Sequence, residues 1–227
     1  MPTTPPRTHR RLVQDRAQRP AAVRASRIQD TKTGNDHDEA YLALVGGLGQ
    51  VIESCDRYTF GHCERVAAYA MAVAHSLGLS GEELTTVRIG AYLHDLGKVA
   101  VPSEILNKQG ELTHEEIEII RTHPVRGVEL LAAIEFPWDI RPIIRWHHER
   151  YDGSGYPDGL SGDAIPVTAQ IVGIADAYDA LTTTRSYRQA VPAQVALAEM
   201  REDRQLWHPD VYRAFMTVFT VVASRVA

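Results

Sequence analysis

No apolar run in this 227-residue chain approaches the roughly 20 residues that a membrane span needs, so no membrane-spanning helix is expected. The N-terminus lacks the apolar core of a secretion signal, which points to a cytoplasmic protein. Cysteine is scarce. Cys55 and Cys63 are the only two, which excludes a disulfide scaffold and suits a reducing compartment. Cys63 is expected to be a small buried apolar side chain rather than a reactive thiol. Strand-period alternation is missing, and there is no internal repeat.

Charge is unevenly placed. Residues 1–36 carry eight Arg or Lys against three Asp, a net of +5, which leaves −10 for the rest of a chain whose total is −5. That leader is rich in Pro, Thr, Arg and Gln and has almost no large apolar residues. It cannot bury enough surface to offset chain entropy, so residues 1–37 are read as a disordered basic leader to a single domain spanning 38–227. The leader has no interleaved aromatics and the domain is acidic, so nucleic acid is not the expected partner.

From Asp38 onward apolar residues repeat at three and four. Tyr41, Leu42, Val45, Leu48, Val51 and Ile52 form one stripe; Val66, Tyr69, Ala70, Val73 and Leu77 form another, stopped by Gly78. Ser80 is the expected N-cap of the next helix, with Glu82 and Glu83 in its first turn. Thr113 and Glu116 have the spacing of a capping box. Pro124 marks a kink or a restart. Further helices are expected at Trp138–Glu149, Val167–Thr183, Pro192–Arg204 and Pro209–Val222. The class is all-α. Dimerisation has two candidate surfaces, the helix near Tyr41 and the apolar stretch Phe215–Val222.

The chemistry centres on His94-Asp95-Leu96-Gly97-Lys98. An imidazole and a carboxylate on neighbouring residues offer the donors that first-row divalent metals prefer. Set in an apolar helical face (Ile89, Ala91, Leu93), that charge must be paired or coordinated. Lys98, four residues after His94, is expected on the same helical face. Singly, each such histidine is ordinarily a core residue. Here His62, His123, the pair His147-His148 and Asp176 extend the set. They supply nitrogen and oxygen without sulfur, which suits iron or manganese, with zinc, nickel or cobalt also fitting, better than calcium. Seven groups are too many for one tetrahedral site and reasonable for two metals bridged by a carboxylate.

Together with His147-His148-Glu149-Arg150-Tyr151-Asp152-Gly153-Ser154-Gly155-Tyr156-Pro157, these motifs resemble the HD-GYP subgroup of the HD phosphohydrolases over roughly Tyr41 to Phe215. The resemblance implies an HD-domain helical bundle with an HD-GYP C-terminal extension. It also implies hydrolysis of cyclic di-GMP to pGpG, and to GMP by a second cut. It assigns His62, His94, Asp95 and Asp176 to one divalent ion and Asp95, His123, His147 and His148 to the other. Two such ions can activate a bridging water and neutralise a phosphodiester oxygen during in-line displacement. Asp95 and Lys98 are the catalytic candidates, Lys98 for charge on phosphate or for the leaving oxygen. Lys98, Arg185, Arg188, Tyr156 and Lys108 are the substrate-binding candidates, and the Gly-rich loop around Tyr156 also offers a surface to signalling partners.

Three positions depart from the family pattern. Tyr58 stands where some members carry a Glu that helps bind a third metal, so two metals are expected. Gln109 replaces a common Pro, and His208 a common Asp. The rival expectations are a hydrolase of another cyclic dinucleotide and a non-hydrolytic protein that binds one or signals through partners.

Overall fold

The computed structural model describes residues 41–56, 60–184 and 189–226, with side chains up to Thr220. The basic leader, Tyr58, and the pair Arg185 and Arg188 lie outside the described residues. The described residues from Leu42 onward belong to one compact unit, the helical domain.

All regular structure among the described residues is helical, as the apolar periodicity requires. The helices are α1 (residues 41–55), α2 (His62–Ser76), α3 (Glu82–Leu93), α4 (Ser103–Leu106), α5 (His114–Ile120), α6 (His123–Leu130), α7 (Arg141–Trp146), α8 (Val167–Thr182), α9 (Ala193–Glu202) and α10 (Pro209–Val226). Helix α2 packs against α3 and α8, and α10 lies across α2, α8 and α9. One core runs through these helices, with Val66, Val73, Ile171, Ile174 and Phe215 sealed from solvent. A second core joins α1 and α3 to α6 and α7 through Val45, Ile52, Ile89, Leu93 and Ile144. Each such fully buried side chain contributes about 1.5–3 kcal/mol of transfer free energy. Helix α7 touches both cores, through Ile143 in one and Ile144 in the other.

Local signals behave as their chemistry directs. Thr113 and Glu116 make the reciprocal capping box of α5. Gly78, at φ 80°, ends α2 in a Schellman motif, with its N–H donating to His75 and that of Leu79 to Ala74. Pro124 falls in the first turn of α6, where its missing N–H costs nothing, so the chain restarts there.

Four expectations need correction. Ser80 does not cap α3 with its side chain. Gly81 occupies the cap, and only the returning Glu83 carboxylate reaches the Ser80 N–H, at 3.4 Å. Helix α7 is six residues long, not twelve, because Pro142 sets its first turn and His147, still in helical geometry, caps its end. The stripe on α1 is split: Val45 and Ile52 are buried, whereas Val51 is more than half exposed. In the C-terminal stretch, Phe215 and Phe219 stack at 4.6 Å inside the monomer core and are already used by folding.

Helix α3 stops at Leu93, immediately before the His-Asp pair. A 3₁₀ turn, Leu96–Ala100, then doubles back against the start of α6. That approach needs Gly97, because a Cβ there would lie 1.8 Å from the His123 carbonyl oxygen. Gly173 does the same for α8, where a Cβ would meet the His147 carbonyl oxygen at 2.4 Å. These two contacts bring four segments to one point.

Candidate metal centre

Three of the histidines sit at or just beyond a helix C-terminus. The last carbonyls of a helix have no intrahelical partner, and here they are captured by imidazole. His94 Nδ1 lies 2.7 Å from the Ala91 carbonyl, His123 Nδ1 2.8 Å from that of Ile120, and His147 Nδ1 3.0 Å from that of Ile144. Each acceptor lies three residues back along the chain. A carbonyl only accepts, so each Nδ1 carries the proton and each Nε2 presents a lone pair. At His94 and His147 the adjoining helix C-terminus adds partial negative charge, which favours a cation, whereas His123 is also the first residue of α6.

His62 is oriented by a different route, which also turns its Nε2 toward the others. Its Nδ1 donates to Asp179 Oδ2 at 2.7 Å, and Arg65 holds that carboxylate from the other side, with Nε at 2.6 Å. Asp179 is 1% exposed and had no assigned role in the sequence. The available signal was its position three residues after Asp176, on the same helix.

The Nε2 atoms converge. His62 Nε2 and His94 Nε2 are 3.2 Å apart, and His123 Nε2 and His147 Nε2 are 3.4 Å apart. Asp95 stands between the two pairs. Its Oδ1 is 3.3 Å from His123 Nε2, while its Oδ2 lies 3.4 Å from His94 Nε2 and 3.6 Å from His62 Nε2. Mutually close donor sets form from Asp95, His123, His147 and His148 and from His62, His94 and Asp95. Asp176 is adjacent to the second set, its Oδ1 3.5 Å from His62 Nε2. The residues therefore fit metal ions: facing imidazole lone pairs repel unless a proton or a cation lies between them, and the donors are the N/O mixture that divalent transition metals take.

Protonation differs between the clusters. Burial lowers His123 to about 4, against the pull of Asp95, and holds His147 and His148 well below the usual histidine range. For His62, burial also opposes charge, but the Asp179 and Asp95 carboxylates prevail and raise it to about 9. A metal at the His62 cluster must therefore displace a proton, whereas one at the His123 cluster need not. Below pH 9 the proton competes, so affinity at the His62 cluster should rise about tenfold per pH unit between 6 and 8, with about one proton released per metal. The His123 cluster should be flat over that range. Metal titrations at pH 6 and 8 with proton counting test this, and equal slopes at both clusters would refute it.

Burial raises Asp95, but Lys98 and the surrounding histidines more than reverse this and hold it well below the carboxylate range. Lys98 Nζ sits 2.7 Å from Asp95 Oδ2 and 3.7 Å from Asp56 Oδ2. Its placement corrects the sequence reading. The helix has ended, so Lys98 pairs with Asp95 across a 3₁₀ turn and does not share a helical face with His94. Burial, with Asp95 and Glu53 nearby, pushes the Cys63 thiol up and keeps it protonated.

The glycine-rich loop is tied down by Glu149, whose buried carboxylate accepts from the N–H groups of Asp158 and Leu160. Tyr156 stacks on His148, with ring centroids 4.7 Å apart, and the Arg121 guanidinium lies 5.2 Å from the centre of the tyrosine ring. Tyr156 thus covers a ligand candidate. Lys108 instead pairs with Glu116 at 2.6 Å, inside the α5 capping box.

Asp179→Asn should weaken metal at the His62 cluster by about 10–100-fold, because the charged partner of Nδ1 is lost. The pH midpoint of binding there should also fall toward that of an ordinary histidine, while the His123 cluster stays unchanged. A uniform loss at both clusters would mean that Asp179 is merely structural.

A family model described as HD domain matches residues 48–211. The chain is 42% identical over 172 residues to the cyclic di-GMP phosphodiesterase response regulator RpfG of Xanthomonas campestris, covering 75% of this chain and 46% of that protein. It is 37% identical to the 3′3′-cGAMP-specific phosphodiesterase 3 of Vibrio cholerae, covering 73% of this chain and 36% of that protein. It therefore spans about half or less of the length of these relatives. The fold is similar to that of the HD domain of the Listeria monocytogenes phosphodiesterase PgpH in complex with cyclic-di-AMP. The TM-score is 0.57 at 19% identity, over 79% of this chain and 96% of that one. Among the described residues, no helix is long and apolar enough to cross a membrane.

Proposed function

The chain belongs to the HD domain family, in its HD-GYP branch, and from that premise we propose that it is a metal-dependent phosphodiesterase that opens cyclic di-GMP to linear pGpG. The observation that carries this is the split carboxylate of Asp95, one oxygen toward His123 and the other toward His62 and His94. A bridging geometry of this kind serves two divalent ions, with iron or manganese first among the candidates. His62, His94, Asp95 and Asp176 would hold one, and Asp95, His123, His147 and His148 the other. Bound there, a metal pair supplies an activated water and neutralises phosphodiester charge for in-line displacement.

The chain's own side chains supply the remainder. Lys98 Nζ, 2.7 Å from the Asp95 carboxylate and 9% exposed, stands where it would stabilise charge on a phosphate oxygen or give a proton to the departing ribose oxygen. Tyr156, stacked on His148, limits access to that ligand and offers a ring edge to a guanine. Arg185 and Arg188 are assigned to the substrate phosphates by resemblance alone. The relative specific for 3′3′-cGAMP favours cyclic GMP-AMP as the second substrate to try.

The test is metal content per chain together with turnover of cyclic di-GMP, cyclic GMP-AMP and cyclic di-AMP by the same metal-loaded protein, followed by chromatography. About two metals per chain with pGpG as the first product supports the reading. Bound metal with no turnover of any of the three leaves a binding or partner-interaction role, including one through the loop around Tyr156. No bound metal overturns the enzyme.

A further inference from the structure

We infer a second ligand site, for a nucleoside monophosphate, in a cleft of about 870 Å³ between the end of α9, the α9–α10 connection and α10. No residue of the two histidine clusters lines it, so it is separate from the centre described above and does not depend on the proposed reaction. Its volume lies within the range of small-molecule pockets.

Charge and shape select the ligand. Arg201, Arg204 and Arg213 line the cleft and no acidic residue does, in a chain whose net charge is −5. Arg213 is shared with Asp210 at 2.8 Å, which leaves Arg201 and Arg204 as the main anion contacts. Guanidinium forks match phosphate geometry. Tyr151, Tyr212 and Met216 add aromatic and apolar wall beside the polar Gln205, Thr217 and Thr220, a mixture that suits a planar base with hydrogen-bonding edges better than a bare anion.

Trp207 also lines the cleft and is 6% exposed. Its indole N–H finds no acceptor among the described residues and is itself closed off from the cleft, so Trp207 contributes to the wall through its ring and not through its donor. One face of that ring is taken by the Arg150 guanidinium, 4.7 Å away, which adds positive charge behind the wall.

Calorimetric titration of the metal-loaded full chain with GMP tests the site, with inorganic phosphate and guanosine as separate probes. The expected result is saturable binding of GMP below about 1 mM, with each fragment at least tenfold weaker. Arg201→Glu with Arg204→Glu, both on the surface, should weaken GMP at least about tenfold while metal content and melting temperature hold. Tyr212→Ala, which removes an aromatic wall of the cleft, should weaken it several-fold. Asp95→Ala should leave this site unaffected, which separates it from nucleotide held at the histidine clusters. Three results would overturn the inference: no saturable binding, binding indifferent to the arginine reversals, or phosphate binding as tightly as GMP.

Discussion

Asp95→Ala should remove metal from both histidine clusters and lower cyclic dinucleotide turnover by about 10³-fold or more. The size follows from what is lost. Metal ions stabilise transition-state charge by several kcal/mol, and each 1.36 kcal/mol is a factor of ten in rate. No neighbour can substitute, because Asp95 is the carboxylate common to both donor sets. The same change strips Lys98 of its 2.7 Å partner and leaves it facing Asp56 at 3.7 Å. Some loss of stability is therefore expected too, and the melting temperature must be measured alongside. Asp95→Asn keeps the volume and removes the charge. It should retain the fold better while still losing metal. A variant that kept both metals and full turnover would sink the bridging role of this carboxylate.

Gly97→Ala is the second large effect, and it acts through packing. The added Cβ would lie 1.8 Å from the His123 carbonyl oxygen, 2.6 Å from the Gly127 nitrogen and 2.7 Å from the His123 carbonyl carbon. All three are backbone atoms, so no side-chain rotation relieves the clash. Either the 3₁₀ turn or the start of α6 must shift, and both adjoin ligand candidates. Overpacking ordinarily costs about 1–3 kcal/mol, and a clash with rigid backbone should cost about 3 kcal/mol or more. For a domain of this size that is a fall in melting temperature of about 6–12 °C. Gly47→Ala is the control. It lies in α1 with nothing within 4 Å of the added methyl, so it should be neutral or stabilise by up to about 1 kcal/mol. Equal melting temperatures for the wild type and the Gly97 variant would refute the argument.

Much of the centre was legible in the linear chain because its donors are unusual residues in tight local groups. His94-Asp95 and His147-His148 are adjacent, and their types alone select metals that accept nitrogen and oxygen. The all-α class was legible for a related reason: helical periodicity and caps such as Thr113–Glu116 involve residues three or four apart, which the sequence displays directly. The same locality explains the misses. Lys108 was a substrate-binding candidate, whereas the structure pairs it with Glu116, and a pairing that depends on how a loop closes is not written in spacing.

By itself, then, the sequence determined the helical class, most of the candidate ligands and the kind of metal they suit. The tertiary structure alone decided which oxygen of Asp95 faces which cluster, and that Asp179, 117 residues away, holds the ring of His62. It also decided that Gly97 must be glycine and that Trp207 is left with an unanswered donor beside a basic cleft. The physical reason is common to all four. Propensity and periodicity act within a helical turn, whereas the orientation of a buried polar atom is set by whichever distant backbone or side chain packing brings within about 3 Å of it.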